Sequence, residues 1–163
     1  MIFYHWFHVL LNFLVAPIFN DRGQADYYLP HGRWTHLLSE ESRDGGCWYH
    51  DQYDYFSLPL YVRENTILPL GKNDSRPDYD YLDQLELHIY ALKDKASCRV
   101  ANINGEYECT VTAEKRDGKI KVIVSKYVDS LSVFLHSMEP LDICIEQITS
   151  SGQTVPAGWS CLS

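Results

Sequence analysis

Pairs of carboxylates are the residues whose types and spacing come nearest to catalytic chemistry, because glycoside hydrolysis needs two acids facing each other across the bond. The closely spaced acids are Glu40 and Glu41, Asp51 and Asp54, and Asp74, Asp78 and Asp80. All of them fall in predicted turns or loops, where carboxylates usually stay solvated. We therefore predict that none of these pairs is catalytic.

The acid-rich run from Asp74 to Asp83 could also supply oxygen ligands to a calcium ion. A calcium loop needs Gly at its sixth position for a sharp turn and Glu at its twelfth as a bidentate ligand, and this run has neither. Arg76 and Pro77 also lie among the would-be ligands. We predict a solvated linker here, with no metal and no cofactor.

Serine and histidine residues lie near one another in the first part of the chain, so nucleophilic catalysis has to be considered. The residues are His31, His36 and His50, with Ser39, Asp51 and Ser57. Neither serine lies in the Gly-x-Ser-x-Gly turn that exposes a nucleophile. The chain also lacks a Gly-x-Gly-x-x-Gly motif and a P-loop. The sequence thus predicts no catalytic, cofactor-binding or metal-binding residue.

Aromatic residues are concentrated between residues 34 and 56. They are Trp34, Trp48, Tyr49, Tyr53, Tyr55 and Phe56. Such rings either fill the core of a small β-sandwich or stack on sugar rings at a carbohydrate-binding face. We favour the core and keep the carbohydrate-binding face as the alternative.

The charge balance bears on the kind of partner. The chain has a formal net charge of -8 and no cluster of Lys or Arg. A phosphate backbone is bound through basic patches that release counterions, so we predict no nucleic-acid partner.

The five cysteines are odd in number and show no Cys-x-x-Cys spacing, which argues against a zinc site. Cys98 and Cys109 flank a predicted hairpin, and oxidation could join them. We favour reduced thiols that pack as small hydrophobic side chains.

The first 13 residues are unusually apolar. They lack the basic start and the small-residue cleavage site of a signal peptide. They are also too short for a bilayer span and contain His5, His8 and Asn12. We predict no membrane partner, and the lack of a signal peptide favours the cytoplasm.

Most of the chain alternates apolar and polar residues with a period of two, which is typical of half-buried strands. Leu85, Leu87 and Ile89 alternate with Glu86 and His88, and similar patterns follow near residues 107–114, 120–124 and 131–136. The dipeptides at 104–105 and 117–118, Asn-Gly and Asp-Gly, are hairpin signals. The sequence predicts an all-β fold of two small antiparallel β-sandwich-like domains.

The predicted organisation follows from composition. Residues 1–13 form an atypical apolar N-terminus and 14–72 a proximal β-sandwich domain. Residues 73–81 are a linker rich in Asp, Asn, Ser and Pro, and 82–149 form a distal β-domain. The tail 150–163 is rich in Ser, Gly and Pro, and we expect it to be poorly ordered.

Four motifs in order resemble the C-terminal part of glycoside hydrolase family 31. They are LVAPIF at 14–19, YYLPHGRW at 27–34, GCW at 46–48 and LPLYVRENT at 58–66. The continuation LGKNDSRPDY at 70–79 is similar to the α-xylosidase branch. The resemblance covers about residues 14–136 and implies a proximal and a distal C-terminal β-domain.

The resemblance also implies where catalysis would take place. In this family an Asp nucleophile and an Asp general acid lie on a (β/α)₈ barrel. The barrel comes before the strand that carries the Val-Ala-Pro motif, which is found here at 15–17. A barrel needs about 250 residues, and few residues precede Leu14 here, so we expect a truncated or alternatively started product. No catalytic residue of the family can be assigned to any position, so whether the chain is itself an enzyme is left open.

Three functions remain. The first is a non-catalytic C-terminal β-region of an α-xylosidase-like glycosidase, inactive alone. The second is a carbohydrate-binding module that uses the aromatics of 34–56, with weak affinity. The third is a docking or oligomerisation piece whose partner is a glycosidase barrel or another copy, and which would expose apolar surface.

Overall fold

The computed structural model describes residues 8–10, 12–72, 82–137, 141–148 and 154–156. All the regular elements in these ranges are β-strands, as the periodicity predicts. The strands are β1 (His8–Leu10), β2 (Phe13–Val15), β3 (Gln24–Leu29), β4 (Arg33–His36), β5 (Ser42–Asp44), β6 (Cys47–Gln52), β7 (Leu60–Arg63), β8 (Thr66–Gly71), β9 (Leu85–Tyr90), β10 (Lys95–Ala101), β11 (Tyr107–Arg116), β12 (Lys119–Val124), β13 (Leu131–His136), β14 (Asp142–Ile148) and β15 (Thr154–Pro156). The all-β prediction is confirmed. Over the described ranges, no helix has the length and apolarity needed to cross a membrane.

The chain divides into two compact units, Met1–Glu64 and Asn65–Ser163. Strand β8, which the sequence places in the proximal domain, pairs with β9 in the second unit. The predicted linker at 73–81 lies outside the described residues. The domain boundaries read from the sequence therefore stay a prediction. Within the apolar N-terminus, residues 8–10 form β1, and within the tail, residues 154–156 form β15.

The first unit contains a sheet in the order β1-β2-β7-β4-β5 and a two-stranded ribbon of β3 and β6. Tyr27 and Leu29 of the ribbon share one buried cluster with Leu14, Trp34 and Tyr61 of the sheet. Each of these side chains is at most 1% exposed. The core therefore lies between sheet and ribbon, as in a small β-sandwich.

Trp34 reaches this core because of the turn that precedes it. Gly32 has a φ of 125°, a conformation that residues with a Cβ rarely adopt. Behind the turn, the Trp34 indole Nε1 donates a hydrogen bond to the carbonyl of Pro30 at 2.8 Å. The single polar atom of the indole is thus satisfied inside the core.

The second unit contains a sheet in the order β10-β11-β12-β14-β15 and a second sheet in the order β13-β9-β8. Inward residues of alternating strands form its core, with Leu87, Val111 and Val122 fully buried. The hairpin signals at 104–105 and 117–118 are confirmed. Asp117 and Gly118 both have positive φ and join β11 to β12.

Two strand pairs of the second unit are parallel, whereas the sequence predicts antiparallel pairs. β12 pairs with β14 and β9 pairs with β13 in parallel. After β12 the chain crosses to the other sheet as β13 and returns as β14, which runs in the same direction as β12. Alternation of apolar residues determines which face of a strand is buried but carries no information about its direction.

Candidate functional site

The structure divides the aromatic run into core and surface. Trp34 is 1% exposed, and Tyr49 and Tyr53 pack against the core of the first unit. By contrast, the exposed fractions of Trp48, Tyr55 and Phe56 are 52%, 95% and 86%. Successive residues of β6 point to opposite faces, which separates Tyr49 from Trp48. The second group presents at least half of its surface to solvent.

A hydrogen-bonded network of tyrosines surrounds Asp51 at the inner face of the ribbon. The Tyr27 hydroxyl donates to Asp51 Oδ2 at 2.5 Å, and the Arg43 guanidinium donates to the same oxygen. The hydroxyls of Tyr53 and Tyr61 lie 3.0 and 2.9 Å from that of Tyr27. Asp51 is thus held as the acceptor of a structural network and not as a free acid.

This network changes the pKa values of its members. Burial, reinforced by the hydrogen bond to Asp51, raises the pKa of the Tyr27 phenol far above its usual range. Burial also raises the pKa of Tyr53. Burial of the Arg43 guanidinium works against its charge, but the hydrogen bond to Asp51 outweighs this and raises its pKa. All three groups therefore keep their protons across the neutral and mildly alkaline range.

The carboxylate pairs considered from the sequence have separate structural partners. Asp54 accepts hydrogen bonds from the Phe56 amide at 3.0 Å and the Ser57 hydroxyl at 2.6 Å, within its own loop. Glu41 lies 3.5 Å from Arg43. Asp74, Asp78 and Asp80 lie outside the described residues. Asp54 thus stabilises its own turn, and Asp51 stabilises the tyrosine network.

His36 and Ser39 are brought together, but by a local turn. Both the amide and the hydroxyl of Ser39 lie about 3 Å from His36 Nδ1, at 3.1 and 3.0 Å. His36 Nε2 faces the carbonyl of Leu58 at 2.9 Å, so Nε2 carries the proton and Nδ1 accepts. Nδ1 also accepts from the Ser39 amide, so these contacts belong to a local turn that positions the ring, and the Leu58 carbonyl carries no charge that would stabilise an imidazolium. His50 pairs instead with Asp26.

The outward side chains of the ribbon form what we call the ribbon face. The cross-strand pairs are Tyr28 with Trp48, Asp26 with His50, and Gln24 with Gln52. The rings of Tyr28 and Trp48 lie 5.7 Å apart at an angle of 57°. Next to them, Asp26 Oδ1 lies 2.7 Å from His50 Nδ1. An aromatic pair, an acid–imidazole pair and an amide pair thus follow one another along one surface.

Three loops of the first unit meet at one end of its strands. Backbone hydrogen bonds join Ala16 to Pro59, Leu37 to Leu60 and Tyr53 to Gly23. The loops cover residues 16–23, 37–41 and 53–59, and each carries an exposed apolar side chain. These side chains, which we call the apolar end, are Phe19, Leu38, Tyr55 and Phe56. The sequence signals the aromatic pair of the third loop but not its grouping with the other two loops.

The second unit offers less chemistry. Cys98 and Cys109 are free thiols, and burial raises the pKa of Cys98 to about 12. Several of its surface cations are paired with acids, for example Lys95 with Glu114 at 2.6 Å and Lys121 with Glu146 at 2.9 Å. Within the ranges that the structure describes, no three His, Cys, Asp or Glu side chains are grouped as metal ligands.

Two family models match the chain in succession. Residues 7–68 match the glycosyl hydrolase family 31 C-terminal domain, and residues 80–158 match the C-terminal domain of alpha-xylosidase YicI. The alpha-xylosidase XylQ of Lactiplantibacillus pentosus is 32% identical over 127 residues, which cover 76% of this chain and 17% of XylQ. An alpha-xylosidase of Emericella nidulans is 30% identical over 92 residues, which cover 52% of this chain and 12% of that protein.

Solved structures share the fold. The family 31 alpha-xylosidase of Xanthomonas citri superposes with a TM-score of 0.57 at 18% identity, covering 89% of this chain and 17% of that one. A cycloalternan-forming enzyme of Listeria monocytogenes gives a TM-score of 0.62 at 18% identity, covering 85% and 13%. The chain therefore spans less than a fifth of the length of each of these relatives.

Proposed function

The chain belongs to the C-terminal region of glycoside hydrolase family 31, and on this premise we propose that it is a non-catalytic supporting region of an α-xylosidase-type glycosidase. The observation that carries the proposal is the succession of two C-terminal-domain matches along a chain much shorter than its relatives. The catalytic acids of such an enzyme would lie on a barrel to which this region is attached or docked.

The chemistry of the described residues supports this proposal. Asp51 is occupied by Tyr27 and Arg43, and Asp54 is occupied by the backbone and side chain of its own loop. A retaining glycosidase needs two carboxyl groups that face each other across an open cleft, about 5 Å apart. Asp51 and Asp54, the acids of the first unit that come nearest to a catalytic pair in sequence, are thus engaged in structural contacts.

We expect the purified chain to give no turnover of p-nitrophenyl α-xyloside while circular dichroism reports a folded β protein. The physical reason is that Asp51 and Asp54 are engaged in structural contacts, so they are not free to protonate a leaving group or to attack the sugar. An α-xylosidase assayed in parallel is the positive control. Turnover that survives repurification and disappears in Asp51→Asn or Asp54→Asn would overturn the proposal.

The apolar end is the surface that we propose meets the barrel. Soluble monomers rarely leave several large apolar side chains exposed on adjoining loops, and such surfaces usually mark a contact with another protein. Tyr55 and Phe56 make an edge-on contact, with ring centroids 5.4 Å apart, and the turn around Asp54 fixes their loop. A preorganised aromatic pair of this kind loses little conformational freedom when it is buried.

We expect the isolated chain to bind the dye ANS and to associate at raised concentration through the apolar end. The double variant Tyr55→Ser, Phe56→Ser removes the most exposed rings and should lower both signals. The matched control is Ile103→Ser, Tyr107→Ser, which removes two exposed apolar side chains of the second unit and should leave both signals unchanged. Size-exclusion chromatography and dye fluorescence are the measurements. A clean monomer that binds no dye, or equal effects of the two double variants, would contradict this surface assignment.

A second candidate function is weak carbohydrate binding. The specific observation in its favour is that Trp48, Tyr55 and Phe56 present their rings to solvent, whereas the other aromatics of residues 34–56 are packed into the core. Exposed aromatic rings are suited to stack on the apolar faces of sugar rings. A titration of the chain with xyloglucan oligosaccharides tests this function, and complete absence of binding would remove it.

A further inference from the structure

On the premise that the chain binds carbohydrate, we propose that the ribbon face is its binding site, and that the ligand is a neutral oligosaccharide of pyranose units. Trp48 would be the stacking platform, and the Asp26–His50 pair would hydrogen-bond the sugar hydroxyls. Of the ribbon face and the apolar end, this assignment selects the first for carbohydrate and leaves the second to a protein contact.

The aromatic part of the site is Trp48 with its support from Tyr28. The Trp48 side chain is half exposed, although it lies in a regular strand and not in a loop. The Tyr28 ring lies 5.7 Å away and contacts the indole at an angle, which restricts its movement. The electron-rich face of an indole attracts the C–H groups on the apolar face of a pyranose. A platform on a strand is also positioned more rigidly than one on a loop.

The polar part of the site lies one cross-strand pair further along the ribbon. Residues two apart on a strand are separated by about 7 Å, so Asp26 and His50 lie next to the platform on the same surface. Their 2.7 Å contact uses one carboxylate oxygen and one ring nitrogen, while the side chains remain 51% and 72% exposed. Because a carboxylate only accepts, Nδ1 donates in this contact, and in the neutral ring Nε2 is then an acceptor, like the second carboxylate oxygen. These exposed side chains can therefore accept hydrogen bonds from vicinal hydroxyls.

The neighbouring pair and the local charge define the class of ligand. Gln24 and Gln52 follow on the same face, and an amide both donates and accepts hydrogen bonds, as sugar hydroxyls do. Asp26 would repel an anionic sugar, and the net charge of -8 acts in the same direction. These groups favour a neutral oligosaccharide that lies along the ribbon, with one ring over Trp48 and the next near Asp26.

The experiment is a calorimetric titration of the full chain and its variants with xyloglucan oligosaccharides. Trp48→Ala should weaken binding by about two- to tenfold, the range expected for one stacking contact. Trp48→Phe keeps a ring and should recover part of the affinity. Asp26→Asn and His50→Gln test the polar part and should each weaken binding. Tyr55→Ala is the matched control, since it removes an exposed ring at the apolar end, and it should bind as the wild-type chain does.

The outcomes separate the site from the function. Loss of affinity in Trp48→Ala but not in Tyr55→Ala, with unchanged circular dichroism, supports the ribbon face. If the wild-type chain and Trp48→Ala bind with equal affinity, the ribbon face is not the site, although the chain does bind carbohydrate. Absence of binding by the wild-type chain overturns both, whereas the supporting role tested by the xyloside assay is not affected.

Discussion

Replacing Trp34 with alanine is expected to lower the free energy of unfolding of the first unit by about 3–5 kcal/mol. Trp34 is 1% exposed and belongs to the buried cluster shared by the sheet and the ribbon. The substitution removes the apolar area of the indole from the core and leaves a cavity that the neighbouring strands can only partly fill. It also leaves the Pro30 carbonyl without the indole donor that now lies 2.8 Å from it.

The matched control for this loss is Trp48→Ala. It makes the same chemical change in the same unit, but at a side chain that is half exposed, and should cost less than about 1 kcal/mol. Urea unfolding followed by far-ultraviolet circular dichroism measures both variants without depending on tryptophan fluorescence. Equal losses in the two variants would mean that Trp34 does not hold sheet and ribbon together.

Alkaline pH should destabilise the first unit before Tyr27 and Tyr53 ionise in the folded state. The Tyr27 pKa is raised in the fold, whereas the unfolded chain releases the proton near pH 10. Above that pH the unfolded state loses protons that the folded state keeps, so the free energy of unfolding falls as pH rises. At pH 11 the cost is about 1.4 kcal/mol for Tyr27, and Tyr53 adds to it in the same direction.

Urea unfolding at a series of pH values from 8 to about 11 measures this decline. In Tyr27→Phe the free energy of unfolding at pH 8 should be lower than in the wild-type chain, because Asp51 loses a donor. It should also fall less steeply with pH, because the phenol that titrates has been removed. Tyr55→Phe removes a phenol that is 95% exposed, and the wild-type decline should persist in it. A Tyr27→Phe curve parallel to that of the wild-type chain would contradict the assignment.

The sequence predicted the strands and turns well, because both depend on local patterns. Alternation over 85–89 and 107–114 identified β9 and β11, and the Asp-Gly pair placed the turn before β12. Partner choice and direction are not local. The pairing of β8 with β9, and the parallel pairs of β9 with β13 and β12 with β14, depend on which strands can bury their apolar faces together.

The candidate sites were predictable only in part. The run of aromatics pointed to the stretch of chain that contains Trp48, Tyr55 and Phe56, and alternation along β6 could have separated Trp48 from Tyr49 once the strand was placed. The role of Asp51 could not be predicted, since its partners Tyr27 and Arg43 come from two other strands. The apolar end likewise gathers residues from three loops that only the folded strands bring together.

The order of the strands along the chain determines when each sheet of the second unit can be completed during synthesis. β12 and β9 leave the ribosome before β14 and β13, the strands that cover their free edges. Until residues 131–148 have emerged, both sheets present unpaired backbone groups that can pair with another nascent chain. Pairing across such distances along the chain is also slow, since the loop has to close before the contact forms. Solubility during synthesis therefore depends on how quickly this last segment follows, and not only on the stability of the finished fold.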